Sequence, residues 1–435
     1  MGRKRQGSDL FVYMNGEKVG VLTQAANGKL EFRYEPSWLR SDLGRPLSMS
    51  MPLVEQPYSG DVVENYFDNL LPDSQPIRNR LRTRFGAKST HGFDLLWHIG
   101  RDCVGALQLF PEDAPIDVKH IDAQPISDTE IASRLQSYRT KPLGMQKDVD
   151  FRISVAGAQE KTALLFYKDS WHLPLKATPT SHIIKLPIGR IEHSNLDLSD
   201  SVENEWLCHA ILKTYGIPVA YTEIAMFDGT KALSVERFDR RWAADNSWLI
   251  RLPQEDMCQA LSVPAVFKYE SDGGPGIEQI MKFLLGSERS LDDRKTFMTQ
   301  VFLFWIMGAI DGHAKNFSIF LLPGGAFQLT PAYDVISAYP LIAKRQLHRR
   351  EIKMAMSLKG TSRHYEWERM QVRHWLSTAK ICKFPEENMT SIIQNVLANM
   401  DQVIARVESV LPKNFPSDLA ESVFEGMREA RRRIS

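Results

Sequence analysis

Patterns typical of β-strands open the chain and predominate again from about residue 148 to residue 240, and long helical patterns follow them. The first strands alternate around Asn15-Gly16, a dipeptide that favours the tight turn of a β-hairpin. The helical patterns cover residues 287–310, 364–380 and 386–410. A β-rich section followed by a helical one predicts an α+β protein or two lobes, because a doubly wound sheet needs strands and helices in alternation.

The length of 435 residues is too great for one small core and predicts two or three domains. Residues 111–147 contain several prolines and polar side chains with weak periodicity, which predicts a linker. We therefore expect an N-terminal subdomain over residues 1–110, a β-rich lobe over residues 148–240 and a helical lobe over residues 241–435.

Composition argues against several classes of protein. Hydrophobic residues make up 43% and charged residues 25%, as in ordinary globular proteins. No apolar run reaches the roughly 18 to 20 residues of a membrane span. The four cysteines contain no CxxC pair and predict reduced thiols in a cytoplasmic protein. The net charge of +1 gives no global reason to expect nucleic-acid binding, and basic runs such as REARRRIS are interpreted as solvated faces.

A run of small residues, SVAGAQEK at 154–161, lies between two predicted strands. Such a run lets backbone N–H groups approach an anion closely. It has one glycine and no helix after it, so it is not a P-loop and alone predicts only a strand turn. Lys185 follows in the next strand among apolar residues, where a lysine either meets an anion or extends to solvent at the sheet rim. Together the loop and the lysine favour a nucleotide phosphate site.

Glu203 and Glu205 stand near the start of the helix predicted after Lys185. A carboxylate there could orient the lysine, or it could be a favourable charge in the first helical turn. For Glu203 the pattern favours the role of a charge in the first helical turn. For Glu205 both roles remain open.

The most apolar short run, VFLFWIMGAI, ends on a polar cluster. Asp311 and Asn316 stand five positions apart, the spacing of a phosphotransferase loop in which the aspartate takes a hydroxyl proton and the asparagine binds a metal ion. Asp334 follows 23 residues after Asp311, where a metal-binding aspartate is expected. For His313 the sequence favours an internal hydrogen-bonding role over a role in catalysis. Two roles remain open for Lys315: its side chain could contact the transferred phosphate, or it could face solvent.

Eight stretches spread over most of the chain resemble the HipA family of toxin–antitoxin serine/threonine kinases. They are RPLSMSMPL (45–53), YFDNLLPD (66–73), ISVAGAQEKTALL (153–165), HIIKLP (182–187), NEWLCHAIL (204–212), LSVERFDR (233–240), DGHAKNFS (311–318) and AYDV (332–335). The resemblance implies a two-lobed protein-kinase-like fold, distantly similar to phosphatidylinositol 3/4-kinases. It would have a β-rich N-lobe, a helical C-lobe and an extra N-terminal subdomain.

The resemblance also implies the site. ATP would be held by the 155–161 loop and Lys185, with its adenine near Glu236–Phe238. Asp311 would be the catalytic aspartate, and Asn316 and Asp334 the Mg²⁺ ligands. In the family a serine of the nucleotide loop is autophosphorylated, which silences the kinase, and Ser154 holds that position here. The expected ATP-binding set is Val155, Ala156, Gly157, Ala158, Gln159, Lys161, Lys185, Glu236, Phe238, His313, Asn316 and Asp334.

Members of this family bind a small helix-turn-helix antitoxin dimer (HipB-like), and the complex represses its own operon on operator DNA. The resemblance implies the same partners, no membrane, and a translation component as substrate, with glutamyl-tRNA synthetase the leading candidate. Modification of that enzyme would cause growth arrest and persistence. Lys380 and Lys383 are candidates for DNA contacts, which would be to phosphates and would not read sequence.

Two other functions stay open from the sequence. One is a small-molecule or lipid kinase of similar fold, although nothing in the sequence suggests a lipid-binding face. The other is a catalytically inactive corepressor that binds only its antitoxin and DNA. The presence of Lys185, Asp311, Asn316 and Asp334 argues against the second.

Overall fold

The computed structural model describes residues 8–140, 161–191 and 195–434. In this part of the chain there are two compact units. Unit 1 is formed by Met1–Leu186, Ala225–Val266 and Ile319–Phe327, and unit 2 by Pro187–Ile224, Phe267–Ser318 and Gln328–Ser435. The domain boundaries drawn from the sequence stay a prediction.

Residues 8–110 form a sheet and short helices around one hydrophobic core. The order of the sheet is β4-β3-β2-β1-β5, with antiparallel neighbours. Asn15 and Gly16 turn the β1–β2 hairpin with φ values of 49° and 86°, which confirms the predicted hairpin. Leu10, Phe32 and Phe67 are buried in the core. The elements are β1 (Ser8–Met14), β2 (Glu17–Gln24), β3 (Leu30–Tyr34), α1 (Pro36–Leu39), β4 (Tyr58–Ser59), α2 (Asp61–Asp68), α3 (Gln75–Phe85), α4 (Gly92–Ile99) and β5 (Leu107–Phe110).

A second sheet follows in the order β12-β13-β9-β7-β8-β6. The helix predicted after Lys185, with Glu203 and Glu205 near its start, is confirmed as α6. The elements of this section are β6 (Ala123–Pro125), α5 (Asp128–Thr140), β7 (Lys161–Tyr167), β8 (Ser170–Pro174), β9 (His182–Lys185), β10 (Gly189–Ile191), β11 (Leu196–Leu198), α6 (Ser201–Thr214), β12 (Thr222–Phe227) and β13 (Thr230–Glu236).

Part of the segment predicted as a linker, residues 111–147, belongs to this second sheet and its core. Strand β6 pairs with β8, and Ile131 and Leu135 of α5 are buried in the same core as Leu164 and Ile184. The sequence hides this helix because α5 buries one narrow stripe and is otherwise polar, so its apolar periodicity is weak.

After residue 240 the chain is mainly helical, as predicted, but short strands are interspersed. Helices α9 and α12 lie within the predicted patterns. In the pattern at 364–380 the structure differs, since its first residues belong to β20, which pairs with β19. No helix in the described ranges is both long and apolar enough to cross a bilayer. The elements are β14 (Arg240–Trp242), β15 (Leu249–Arg251), β16 (Gln254–Asp256), α7 (Met257–Ala260), α8 (Ile277–Phe283), α9 (Ser290–Met307), β17 (Ser318–Leu321), β18 (Phe327–Leu329), α10 (Tyr339–Ala343), β19 (Lys353–Lys359), β20 (Arg363–Glu366), α11 (Val372–Ile381), α12 (Glu386–Glu408) and α13 (Ser417–Ile434).

A buried ionic network inside unit 1 joins the N-terminal sheet region to the segment after β13. Asp102 Oδ1 accepts hydrogen bonds from Arg240 Nη2 at 2.9 Å and Arg251 Nε at 3.0 Å, and Oδ2 accepts from Arg237 Nη1 at 3.3 Å. Asp239 accepts from Arg237 and from the backbone N–H of Gly105. The three arginines and the two aspartates are all almost fully buried, so the network is a structural junction of unit 1.

Candidate active site

The polar cluster after the apolar run is the loop that follows α9. Nearly all side chains of α9 from Phe297 to Met307 are buried, so this half of the helix has no polar face. Gly308 ends the helix in the left-handed region, with φ of 60°. A Cβ on Gly312 would lie 2.6 Å from the ring of Phe304, so only glycine permits this close approach of the loop to α9. The loop that carries Asp311 is therefore packed directly on the buried helix.

The side chain of Asn316 contacts the main chain of two other predicted site residues. Its amide Nδ2 donates to the main-chain oxygen of Asp311 at 2.9 Å and makes a longer contact of 3.5 Å with the main-chain oxygen of Asp334. The side chain is buried, 6% exposed, at the end of a 3₁₀ turn. Because both contacts use the amide nitrogen, Oδ1 is the atom of Asn316 that could bind a cation.

Asp334 is held in an unusual backbone conformation. Its φ is 60°, in the left-handed region that few non-glycine residues adopt and that costs of order 1 kcal/mol or more. The preceding residue is fixed, since the Tyr333 hydroxyl donates to the main-chain oxygen of Lys315 at 2.8 Å and lies 2.5 Å from Ser318 Oγ. Ala332 also bridges to Val219. The surrounding contacts thus hold Asp334 where an isolated chain would rarely place it.

The donor atoms at this place suit a hard cation. Asp334 supplies carboxylate oxygens and Asn316 an amide oxygen, the ligand types that Mg²⁺ prefers. Mg²⁺ is commonly bound through one or two carboxylates, with substrate phosphates and water completing its octahedral shell. The residues present therefore fit a Mg²⁺ ion that arrives with a nucleotide.

The Asp311 carboxylate is exposed, and one of its two oxygens accepts a hydrogen bond. The Tyr269 hydroxyl donates to Asp311 Oδ1 at 2.6 Å. The Tyr269 ring packs edge-on against the buried His313 ring, with 5.1 Å between centroids. Tyr269 was not among the predicted site residues, because it lies 42 residues before Asp311 in a segment without a recognised spacing signal.

Two lysines face each other in the second sheet, in unit 1. Lys161 of β7 and Lys185 of β9 are direct partners in the antiparallel register, which puts both side chains on one face of the sheet. Lys185 is only 5% exposed. Like charges directly opposite each other are destabilising, and a bound anion relieves that repulsion. The pairing of Lys161 with Lys185, which the sequence analysis did not anticipate, suits a phosphate group.

The segment expected beside adenine is the end of β13, also in unit 1. Glu236 is exposed and pairs in register with His182 of β9. The half-buried Phe238 packs edge-on against Phe320, with 5.8 Å between ring centroids. The next residue, Asp239, belongs to the buried ionic network, so this segment is anchored directly after its exposed part.

The remaining predicted residues fall into three groups. Ser154, Val155, Ala156, Gly157, Ala158 and Gln159 lie outside the described residues. Glu203 and Glu205 are both buried within α6, and Glu205 Oε1 lies 4.0 Å from His209 Nε2. Lys380 and Lys383 are exposed at the end of α11, in unit 2. Within unit 2 the structure thus brings together Asp311, His313, Asn316 and Asp334. Within unit 1, taken by itself, it pairs Lys161 with Lys185.

Comparisons with known proteins agree along nearly the whole chain. Residues 10–110 match the family model of the HipA N-terminal domain, and residues 153–404, more than half of the chain, match that of the HipA-like C-terminal domain. A relative from Sinorhizobium fredii, the candidate kinase Y4mE, is 32% identical over 407 residues, 92% of this chain and 91% of the relative. The serine/threonine-protein kinase toxin HipA of Shewanella oneidensis is 30% identical over 340 residues, 75% of each chain.

A solved structure shows the same mixed α/β fold. It is a chain from the complex of the Shewanella oneidensis MR-1 toxin–antitoxin system HipA, HipB and its operator DNA, with a TM-score of 0.80 and 23% identity. The match covers 98% of this chain and 96% of that chain. Both family models, the relatives and the fold lead to one assignment: the chain belongs to the HipA family.

Proposed function

We propose that this protein is an ATP-dependent serine/threonine protein kinase with a two-lobed, phosphatidylinositol-kinase-like fold, and that it is the toxin of a toxin–antitoxin module. The observation that carries the proposal is the Asn316 amide, which joins the backbone of Asp311 to that of Asp334. Membership of the HipA family, in which a 30% identical relative is named a serine/threonine kinase toxin, supports it.

In the proposed reaction a substrate hydroxyl attacks the γ-phosphorus of ATP. The new bond forms as the bond from that phosphorus to the β–γ bridging oxygen breaks, and ADP leaves. Asp311 takes the hydroxyl proton, a role that suits an exposed carboxylate on a loop fixed against α9. Asp334 and Asn316 would hold Mg²⁺, which neutralises phosphate charge when bound.

The lysines of unit 1 have a separate role in this proposal. Lys185 and Lys161 would contact the nucleotide phosphates, since the register places them opposite each other on one face of the sheet. The exposed end of β13, with Glu236 and Phe238, would contact the adenine. Both contributions are positioning and charge neutralisation, which carry most of the catalysis in phosphoryl transfer.

The proposal is tested by label transfer from γ-³²P-ATP, with the purified chain alone and with glutamyl-tRNA synthetase. We expect the chain to label protein in the presence of Mg²⁺, and the transfer rate of an Asp311→Asn variant to fall at least about 100-fold. Label on an added lipid or small molecule but on no protein would instead identify a small-molecule kinase. A folded wild-type chain that transfers no label to any acceptor would indicate an inactive corepressor.

We also propose the partners that the family relationship suggests. These are a HipB-like helix-turn-helix antitoxin dimer, operator DNA bound through that complex, and glutamyl-tRNA synthetase as the substrate whose modification stops growth. A solved complex of HipA with HipB and operator DNA is the matching structure that supports the first two. Lys380 and Lys383 are exposed and could add phosphate contacts, which would strengthen binding without specifying sequence.

Autophosphorylation of Ser154 is expected to switch the kinase off. A phosphate there adds roughly −1.5 to −2 charges at neutral pH, which would repel the nucleotide loop from the phosphates of ATP. Mass spectrometry of purified protein should find phosphate on Ser154 in the wild-type chain and none in an Asp311→Asn variant. The phosphorylated form should bind ATP far more weakly in calorimetry. Equal ATP affinity in the two forms would remove the autoregulation while leaving the kinase activity standing.

A further inference from the structure

The strongest contact to the proposed catalytic base comes from a residue that the family motifs do not include. The Tyr269 hydroxyl donates to Asp311 Oδ1 at 2.6 Å, the short distance typical of an O–H group bound to a carboxylate. Among the residues that the structure describes, none forms a hydrogen bond with Asp311 Oδ2. One carboxylate oxygen is therefore bound, and the other is left to accept a proton.

The backbone around Tyr269 is fixed on both sides. The main-chain oxygen of Lys268 accepts from the backbone N–H of Ala314, which joins this segment to the loop of Asp311. The main-chain oxygen of Tyr269 itself accepts from the backbone N–H groups of Asp272 and Gly274. Tyr269 therefore lies in a hydrogen-bonded turn, and this turn is itself hydrogen-bonded to the loop that carries Asp311.

The neighbouring carboxylate anchors the same turn to β19. Buried Glu270 accepts from the backbone N–H of Ser357 at 2.6 Å, from Ser357 Oγ at 3.0 Å and from Arg363 Nη1 at 2.8 Å. A Cβ on Gly276 would come within 2.3 Å of the Glu270 carboxyl carbon, so the turn closes tightly over that group. These contacts make Tyr269 a preorganised donor, because its backbone has little freedom to move away.

We propose that Tyr269 is a positioning residue for phosphoryl transfer, which holds Asp311 by Oδ1 so that Oδ2 accepts the proton of the substrate hydroxyl. The inference rests on the proposed kinase function. Asp311 is exposed, and without the phenol its side chain would be free to populate other rotamers. Only some of these rotamers place an oxygen within reach of the hydroxyl, so the productive fraction of the enzyme falls. The packing of the Tyr269 ring on His313 sets the direction from which the phenol approaches.

The test is a Tyr269→Phe variant, which keeps the ring packed on His313 and removes only the hydroxyl. We expect the maximal rate of label transfer from γ-³²P-ATP, measured on phosphatase-treated chain, to fall about tenfold. The KM for ATP and the midpoint of thermal unfolding should stay at their wild-type values. A Tyr58→Phe variant is the matched control, because the Tyr58 hydroxyl donates to the main-chain oxygen of Pro52 at 2.7 Å, at the surface of unit 1 and outside the proposed site.

A double-variant comparison separates positioning from a general structural role. In an Asp311→Asn background, Tyr269→Phe should cause no further loss of the residual rate, because the phenol acts through the carboxylate. A tenfold loss that persists in that background, or a loss accompanied by a lower unfolding midpoint, would overturn the positioning role. An unchanged rate in an active Tyr269→Phe chain would overturn it as well. Failure of the wild-type chain itself to transfer label would instead contradict the proposed kinase function.

Discussion

Replacement of Asp334 is expected to abolish phosphoryl transfer and to weaken ATP binding in Mg²⁺, whereas replacement of Asp311 abolishes transfer and leaves the nucleotide bound. Asp334 would be a metal ligand, so its loss removes contact with the Mg²⁺ that accompanies the phosphates. Asp311 would act on the hydroxyl proton and not on ATP. We expect each alanine variant to lose at least about 100-fold in transfer rate, the lower range for a catalytic acid–base group.

The measurement pairs label transfer with calorimetric titration of ATP at fixed Mg²⁺. Asp334→Ala puts alanine at a φ of 60°, so Asp334→Asn is a second variant that tolerates this backbone and removes only the charge. Asp228→Ala is the matched control, since Asp228 is an exposed aspartate at a φ of 43° in the β12–β13 turn. Retained transfer in folded Asp311→Ala, or unchanged ATP affinity in both Asp334 variants, would contradict this division of roles.

The parts of the site that could be predicted from sequence are those set by local spacing. Asp311 and Asn316 lie in one loop after a buried helix, so their separation in the chain is nearly their separation in space. The structure has both residues in the loop that follows α9, and it also shows a contact that spacing could not reveal, from Asn316 to the backbone of Asp334. The hairpin at Asn15-Gly16 was predictable for the same reason, because a two-residue turn depends on those residues alone.

The parts that could not be predicted depend on contacts between distant segments. Tyr269 reaches Asp311 across 42 residues, and no periodicity encodes such a pair. Helix α5 was interpreted as linker because only the tertiary core explains why Ile131 and Leu135 are apolar. Asp102 meets Arg237 and Arg251 at separations of 135 and 149 residues, so no local sequence pattern indicates that this charged residue is buried.

Removal of the Asp102 carboxylate is expected to destabilise unit 1 by roughly 3–5 kcal/mol, the usual cost of leaving buried charges without their partner. Arg237 and Arg240 would then keep Asp239 as a carboxylate partner, whereas the ion pair of Arg251 with Asp102 would be lost. Burial alone raises the pKa of Asp102, but the guanidinium groups outweigh it and hold the pKa well below its usual range. The carboxylate is therefore charged in the folded protein at neutral pH.

The pH dependence has a definite sign. Burial also raises the pKa of the Asp239 carboxyl, but the charges of Arg237 and Arg240 outweigh this effect and lower the pKa to about 2. A carboxylate with a lowered folded pKa stabilises the protein above its unfolded pKa, near 4, and this stability is lost as pH falls through the folded pKa. The difference in unfolding free energy between wild type and Asp102→Asn should therefore be largest near neutral pH and shrink below about pH 4.

Urea unfolding of Asp102→Ala and Asp102→Asn at several pH values measures both effects. Asp113→Ala is the matched control, because Asp113 pairs with Lys18 at the surface of the same unit, where such pairs contribute about 1 kcal/mol or less. Because Glu236 and Phe238 are the chain neighbours of Arg237 in the network, ATP affinity in the folded Asp102 variants should fall together with stability. Asp102 variants as stable as the Asp113→Ala control at pH 7 would show that the network is dispensable for unit 1.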